Sequence, residues 1–147
     1  MKIAVGTALA GLVLFGALSG PASAQEWSSP IIGQLAAKAT EIYKGKGYSP
    51  TAWSKQARLG DSVSQDFSIR LDAQKEFSLV GMCDTNCSNL DMLVIDSNGK
   101  VVGSDVEADD FPIVSFTPSA EGNYTVRITM TKCTSTCDLG IMAFKRD

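Results

Sequence analysis

The sequence predicts a mainly β protein: an antiparallel, jelly-roll-like β-sandwich of about seven strands behind an N-terminal helical segment. Two observations carry this. From Asp61 onward, apolar residues recur with period two in short runs separated by turn signals. Ahead of that point, a capped stretch carries apolar residues with the period of a helix instead.

The first 24 residues read as a secretory signal. Lys2 is the only charge before Glu26, an apolar run extends from Ile3 to Leu18, and Ala22-Ser23-Ala24 supplies the small-residue cleavage site. The run is shorter than the roughly 20 residues of a spanning helix. The expectation is an exported chain, periplasmic or secreted, that starts at Gln25 and has no transmembrane segment. Export then divides the sequence into a signal (1–24), an N-terminal helical segment (25–60) and a sandwich domain (61–147).

Within the helical segment, "SPIIGQLAAKATEIYK" has Ser29 as cap, Pro30 in the first turn and Gly45 as terminator. Ile31, Leu35, Ala39 and Ile42 fall on one stripe, with Ile32, Ala36 and Tyr43 beside it, so the Ile31–Leu35–Ile42 stripe is expected to pack on the sandwich. A second Ser-Pro start at Ser49-Pro50 predicts a shorter helix through Trp53. The strands follow. Val63, Phe67, Ile69 and Leu71 alternate with polar residues, and "EFSLVGM" and "LDMLVID" are apolar runs. "DSNGK" is a turn in which Asn98-Gly99 suits positive backbone dihedrals. "KVVGSD", "PIVSFTP", "YTVRITMTK" and "LGIMAFKR" complete the set.

Charge is spread unevenly. Between Met82 and Asp138 there are nine acidic and three basic residues, whereas Gln25 to Gly81 is nearly balanced. This distribution argues against nucleic acid and anionic membranes, and leaves cations or a basic partner as electrostatic companions. With no histidine in the chain, the commonest general base and the Ser-His and Cys-His pairs are missing. Catalysis is therefore not expected.

Cys83-x-x-x-Cys87 and Cys133-x-x-x-Cys137 are read as disulfides, because an exported chain is oxidised and zinc knuckles favour tighter pairs. Neither pair has the Cys-x-x-Cys spacing of a thioredoxin-like centre. Local bridges, Cys83–Cys87 and Cys133–Cys137, are the expected pairing, and cross-loop pairing is the alternative.

If the seven strands alternate in direction, the loops at 83–89, 105–110 and 132–138 share one end. Asp84, Asn86, Asp91, Asp105, Asp109 and Asp110 then form a candidate calcium ligand set of hard oxygens on stapled loops. The same residues also read as a solvated acidic rim, since no EF-hand order is present.

"NLDMLVIDSNGKVVGSD" followed by "PIVSFTPSAEGNYTVRI" resembles the bacterial pre-peptidase C-terminal (PPC) domain. That family runs Asp-Leu-strand-Asp-x-x-Gly, an apolar strand, then Gly-x-Tyr-x-Val. The match spans roughly residues 61 to 144. It implies a compact jelly-roll sandwich and a non-catalytic module found beside secreted proteases, some of whose members bind calcium. Two features depart from the pattern: the chain holds no protease domain, and the paired Cys-x-x-x-Cys elements are extra. Two function classes follow. The first is a non-enzymatic exported binding or envelope-interaction module, calcium-stabilised in one form, with a protein or glycan partner. The second is an inhibitor or accessory subunit of a secreted enzyme such as a protease.

Overall fold

The computed structural model describes residues 25–147, so the expected signal segment lies outside the described residues. They form one helix, α1 (Pro30–Gly45), and eight strands: β1 (Tyr48–Gly60), β2 (Val63–Leu71), β3 (Phe77–Cys83), β4 (Cys87–Ile95), β5 (Val101–Asp105), β6 (Ile113–Phe116), β7 (Gly122–Cys133) and β8 (Thr136–Arg146).

Two antiparallel four-stranded sheets result, ordered β1-β8-β3-β6 and β2-β7-β4-β5. The order has a simple origin. β1 pairs with β8, β2 with β7, β3 with β6 and β4 with β5, so the chain is a two-stranded ribbon folded back at residues 96–100. Rolling the ribbon brings β8 against β3 and β7 against β4, which closes a jelly roll. The fold-back is organised by Asp96, whose Oδ1 accepts from the N–H groups of Asn98 and Lys100, both at 2.9 Å. Of the expected Asn-Gly pair, Gly99 alone takes a positive φ, 82°.

Leu79, Leu90, Met92, Val126, Ile128 and Ile141 fill the space between the sheets. A second core lies outside the first sheet, where α1 covers Val80, Met82 and Phe144. All seven residues of β3 are therefore buried. Its unbroken apolar run, rather than strict alternation, reflects cover on both faces.

Two sequence expectations are corrected here. Residues 48–60 form β1, a sandwich strand, and not a second short helix. Ser49-Pro50 resembles a helix start locally, but the segment pairs with β8 from Tyr48↔Arg146 to Gly60↔Thr136, slipping register between Pro50 and Ser54. The inner stripe of α1 is also different. Its buried residues are Ile32, Ala36, Ala39 and Tyr43, Leu35 is half-buried, and Ile31 and Ile42 are 40% and 45% exposed. Close approach selects this face. A Cβ on Gly140 of β8 would lie 2.6 Å from Ile32 Cγ2 and 2.7 Å from Trp27 Cζ3. Only glycine leaves room for those two side chains, and the small Ala36 and Ala39 keep the helix close. Tyr43 then stacks on Phe144 with ring centroids 4.5 Å apart. The cap matches the sequence reading, with Ser29 Oγ accepting from the Ile32 N–H.

The end of the sandwich near α1 is tied by charge. Arg146 Nε donates to Glu76 Oε2 at 2.7 Å, and the Tyr48 hydroxyl donates to Glu76 Oε1 at 2.6 Å. The Arg146 guanidinium first, and Tyr48 second, hold the Glu76 carboxyl below its ordinary range. Arg127 does the same to Asp66 through a two-bond contact at 2.8 and 2.9 Å, and Lys145 to Asp72.

Two predictions follow from this architecture. Ile32→Ala should cost about 2–5 kcal/mol, as for a buried large-to-small change, whereas Ile42→Ala should stay within about 0.5 kcal/mol. Urea unfolding of both variants checks this, and equal losses would contradict the assigned face. The carboxyls of Asp66, Asp72 and Glu76 are depressed in the folded state, so they add stability above their unfolded pKa values of about 4. That contribution disappears as pH falls through the folded values. The melting temperature should be level above about pH 5 and fall below about pH 4, with a smaller acid loss in Arg127→Gln.

Candidate functional site

The site is the end of the sandwich where β3 turns into β4 and β7 turns into β8. Each of these turns crosses from one sheet to the other, because β3 and β8 are neighbours in the first sheet and β4 and β7 in the second. Cys83–Cys87 and Cys133–Cys137 are disulfide-bonded, with Cα separations of 5.9 and 6.2 Å. The pairing is the local one. Although close in sequence, each bridge joins the two sheets at a corner of the roll. All four cysteines are buried and none is free.

Hydrogen bonds fuse the two corners into a single tip. Asp84 donates its N–H to Asp138 O at 3.1 Å, and its Oδ2 accepts from the Asp138 N–H at 2.8 Å. Its Oδ1 accepts from the Asn86 N–H at 3.0 Å. Thr134 N–H donates to Asn86 O at 3.1 Å, linking the loops at their outermost point. The β1–β2 turn adds a brace, with Asp61 Oδ1 accepting from the Cys133 N–H at 2.8 Å. Thr85, Asn86, Thr134, Ser135 and Thr136 are left exposed on a tip whose backbone is fixed from below.

The 106–112 loop reaches the same end, where Leu90 N–H donates to Asp109 O at 2.9 Å and the Asp110 carbonyl lies 3.6 Å from Cys83 Sγ. The three loops expected to share one end therefore do so. Their side chains, however, do not converge on a common point. Asp105 accepts from Glu107 N–H through Oδ1 and from Ile113 N–H through Oδ2, at 3.2 and 2.8 Å. Asp109 Oδ1 accepts from Phe111 N–H at 3.0 Å. Asn86 contributes its backbone, and its side chain is exposed. Asp91 stands apart on β4, beside Thr129 of β7, with a buried Oδ1 that has no partner.

Among the described residues, no three acidic or cysteine side chains come close enough to hold a metal ion. Asp84, Asn86, Asp91, Asp105, Asp109 and Asp110 thus do not fit a calcium site as a set. Calcium needs six to eight converging oxygens, and the carboxylates of Asp84 and Asp105 are turned to separate sets of backbone N–H groups. Two residues absent from that set matter structurally. Asp138 closes the tip through its backbone, and Asp61 braces it from a "GDS" turn signal.

Elsewhere, a groove of about 600 Å³ runs between α1 and the register slip of β1, lined by Trp27, Gly33, Ala36, Pro50 and Met142 among others. Its lining contains no acid, base or cysteine, so it offers no catalytic pair.

No family model matches the chain, and no curated protein does. Among solved structures, the chain is similar to Aeromonas hydrophila PliG, a periplasmic lysozyme inhibitor of g-type lysozyme. The identity is 10%, the TM-score 0.44, and the match covers 67% of this chain and 89% of that one.

Because these side chains do not converge on a common point, millimolar calcium should move the melting temperature no further than magnesium at equal ionic strength. Thermal scans in the two salts check this. A calcium-specific rise would mean that the loops re-form around an ion.

Proposed function

We propose that this chain is an exported, non-enzymatic binding module that presents its disulfide-stapled tip to a secreted enzyme, which it inhibits or accompanies. The observation that carries this reading is the preformed tip. Two loops with exposed Thr85, Asn86, Thr134, Ser135 and Thr136 stand on a frame of two inter-sheet disulfides and the Asp84–Asp138 hydrogen bonds. Binding normally loses about 0.5–1.5 kcal/mol for each side chain that must be ordered, and a loop fixed beforehand avoids much of that loss. Small hydroxyl and amide groups on rigid backbone suit a polar cleft.

The remaining chemistry supports the same reading. The sequence has no histidine and its four cysteines are all bridged, so the usual bases and nucleophiles are missing. Two disulfides suit an oxidising compartment, periplasmic or extracellular. No helix among the described residues is long and apolar enough to cross a membrane. The resemblance to PPC domains, which accompany secreted proteases, points to the same partner class.

The test is inhibition. Purified oxidised protein is titrated into secreted proteases and cell-wall hydrolases, and one of them should lose activity at a one-to-one ratio. Thr85→Arg with Thr134→Arg should weaken that effect at least tenfold while leaving the melting curve unchanged. Full inhibition by the double variant would remove the tip from the interface. Turnover of substrate by the protein itself would overturn the non-enzymatic reading.

A further inference from the structure

We infer that the four cysteines form a thiol–disulfide exchange centre, in which a single two-electron reduction by a dithiol opens both inter-sheet bridges and leaves a new cross-strand disulfide, Cys87–Cys133. The ground is register. Cys87 and Cys133 are direct partners in the β4–β7 ladder. The flanking bond runs from Thr134 N–H to Asn86 O at 3.1 Å, one residue outside each cysteine. That pattern marks a non-hydrogen-bonded pair, which in a regular ladder has opposed Cα atoms about 4.5 Å apart and the closest side chains, and the register slips just beyond it, between Cys87 and Asn89. A disulfide spans Cα separations of about 4.4–6.8 Å. The two existing bridges therefore each contribute one sulfur to a pair of positions that could be bridged directly.

The steps balance without a further oxidant. A dithiol attacks one bridge, for instance Cys83–Cys87, through a mixed disulfide. It leaves as its own cyclic disulfide, with Cys83 as a thiol and Cys87 as a thiolate. The Cys87 thiolate then attacks Cys133 Sγ. The Cys87–Cys133 bond forms, the Cys133–Cys137 bond breaks, and the electron pair departs on Cys137, which takes up a proton. Starting at the other bridge reaches the same product, because the freed Cys133 thiolate attacks Cys87 and releases Cys83. Exchange is intramolecular and so proceeds at high effective concentration. The product also restricts the unfolded chain more, because the new bridge closes the long loop between residues 87 and 133 whereas each old bridge closes a five-residue loop.

The consequence is a switch. In the oxidised state, the tip is tied across both sheets. After one reduction the sheets lose both covalent links there, and the loops at 84–86 and 134–135 are held by hydrogen bonds alone. Burial of all four sulfurs limits attack to a reductant that can open the tip locally.

The experiment treats the native protein with dithiothreitol in rising amounts from one equivalent, quenches by alkylation and maps peptides without reduction. The first labelled species should carry label on Cys83 and Cys137 and a crosslink between Cys87 and Cys133. Label on Cys83 with Cys87, or on Cys133 with Cys137, and the other bridge intact, would overturn the inference. So would passage straight to the fully reduced chain. As a second arm, Cys83→Ser with Cys137→Ser should purify with Cys87 and Cys133 joined, its intact mass lower by two hydrogens. Two titratable thiols in a folded variant would also refute it.

Discussion

Strand β8 must be covered on both faces, and most of the molecule answers to that requirement. It lies between β1 and β3 in the first sheet. Its inner side chains, Leu139, Ile141 and Ala143, enter the core between the sheets, and Phe144 points to the helix layer. A strand with two apolar faces cannot be left at a sheet surface, because each large side chain exposed to water forgoes about 1.5–3 kcal/mol. The helix therefore has a fixed task. It docks where Gly140 removes a side chain, and that dimple rather than the sum of helix hydrophobicity decides which residues turn inward. The same strand begins at the stapled tip with Cys137 and ends at the ionic tie of Arg146, so both ends of the sandwich are referenced to it.

The tip illustrates how shape can be secured without much contribution to global stability. Disulfides stabilise chiefly by restricting the unfolded chain, and bridges four residues apart restrict it little. Here their position does more than their loop length suggests, because each crosses between sheets. Asp84 works in the same direction, since its carboxylate orders its own loop through Asn86 and the neighbouring loop through Asp138. Neither donor is fully buried, so each bond contributes about 0.5–1.5 kcal/mol net. The geometry of the exposed residues is thus a property of the frame and not of the residues themselves.

Much of this was legible in the sequence, and the failures have physical causes. Period-two runs and turn signals located β2 to β8, and the Ser29-Pro30 start located α1, because these are local signals. β1 was not legible. Its partner is the far end of the chain, and its Ser-Pro start carries a competing helical signal. The inner stripe of α1 is not legible from side-chain size, because it is set by closeness of approach at Gly140, far along the chain. The loop aspartates were visible as a group but not as individuals. Asp84, Asp96, Asp105 and Asp109 each accept from the N–H two residues onward. This is the habit of aspartate in turns, and it accounts for their spacing without a bound ion.

What the fold leaves free narrows where a partner can sit. The outer face of the first sheet is occupied by α1. The outer face of the second sheet is open, and on β2 and β7 its polar groups pair with one another, whereas Asp91 Oδ1 on β4 has no partner. Asp66 and Arg127 pair across β2 and β7, and Ser64 and Thr129 share a hydrogen bond at 2.8 Å. A partner there would have to break charge-assisted contacts before making its own, and removing one member of such a pair leaves the other unmatched. The opposite end of the sandwich is closed by Tyr48, Glu76 and Arg146. At the tip the balance is reversed. The N–H groups of Asp84, Asn86, Cys87, Cys133, Thr134 and Asp138 are matched, while the side chains of Thr85, Asn86, Thr134 and Ser135 face solvent and exposed Thr136 accepts from Arg58 Nε at 3.3 Å. Recognition at that end displaces only the exposed contacts of Arg58 with Thr136 and Asp138, which cost little to break, so it is where this sandwich can gain most from a contact.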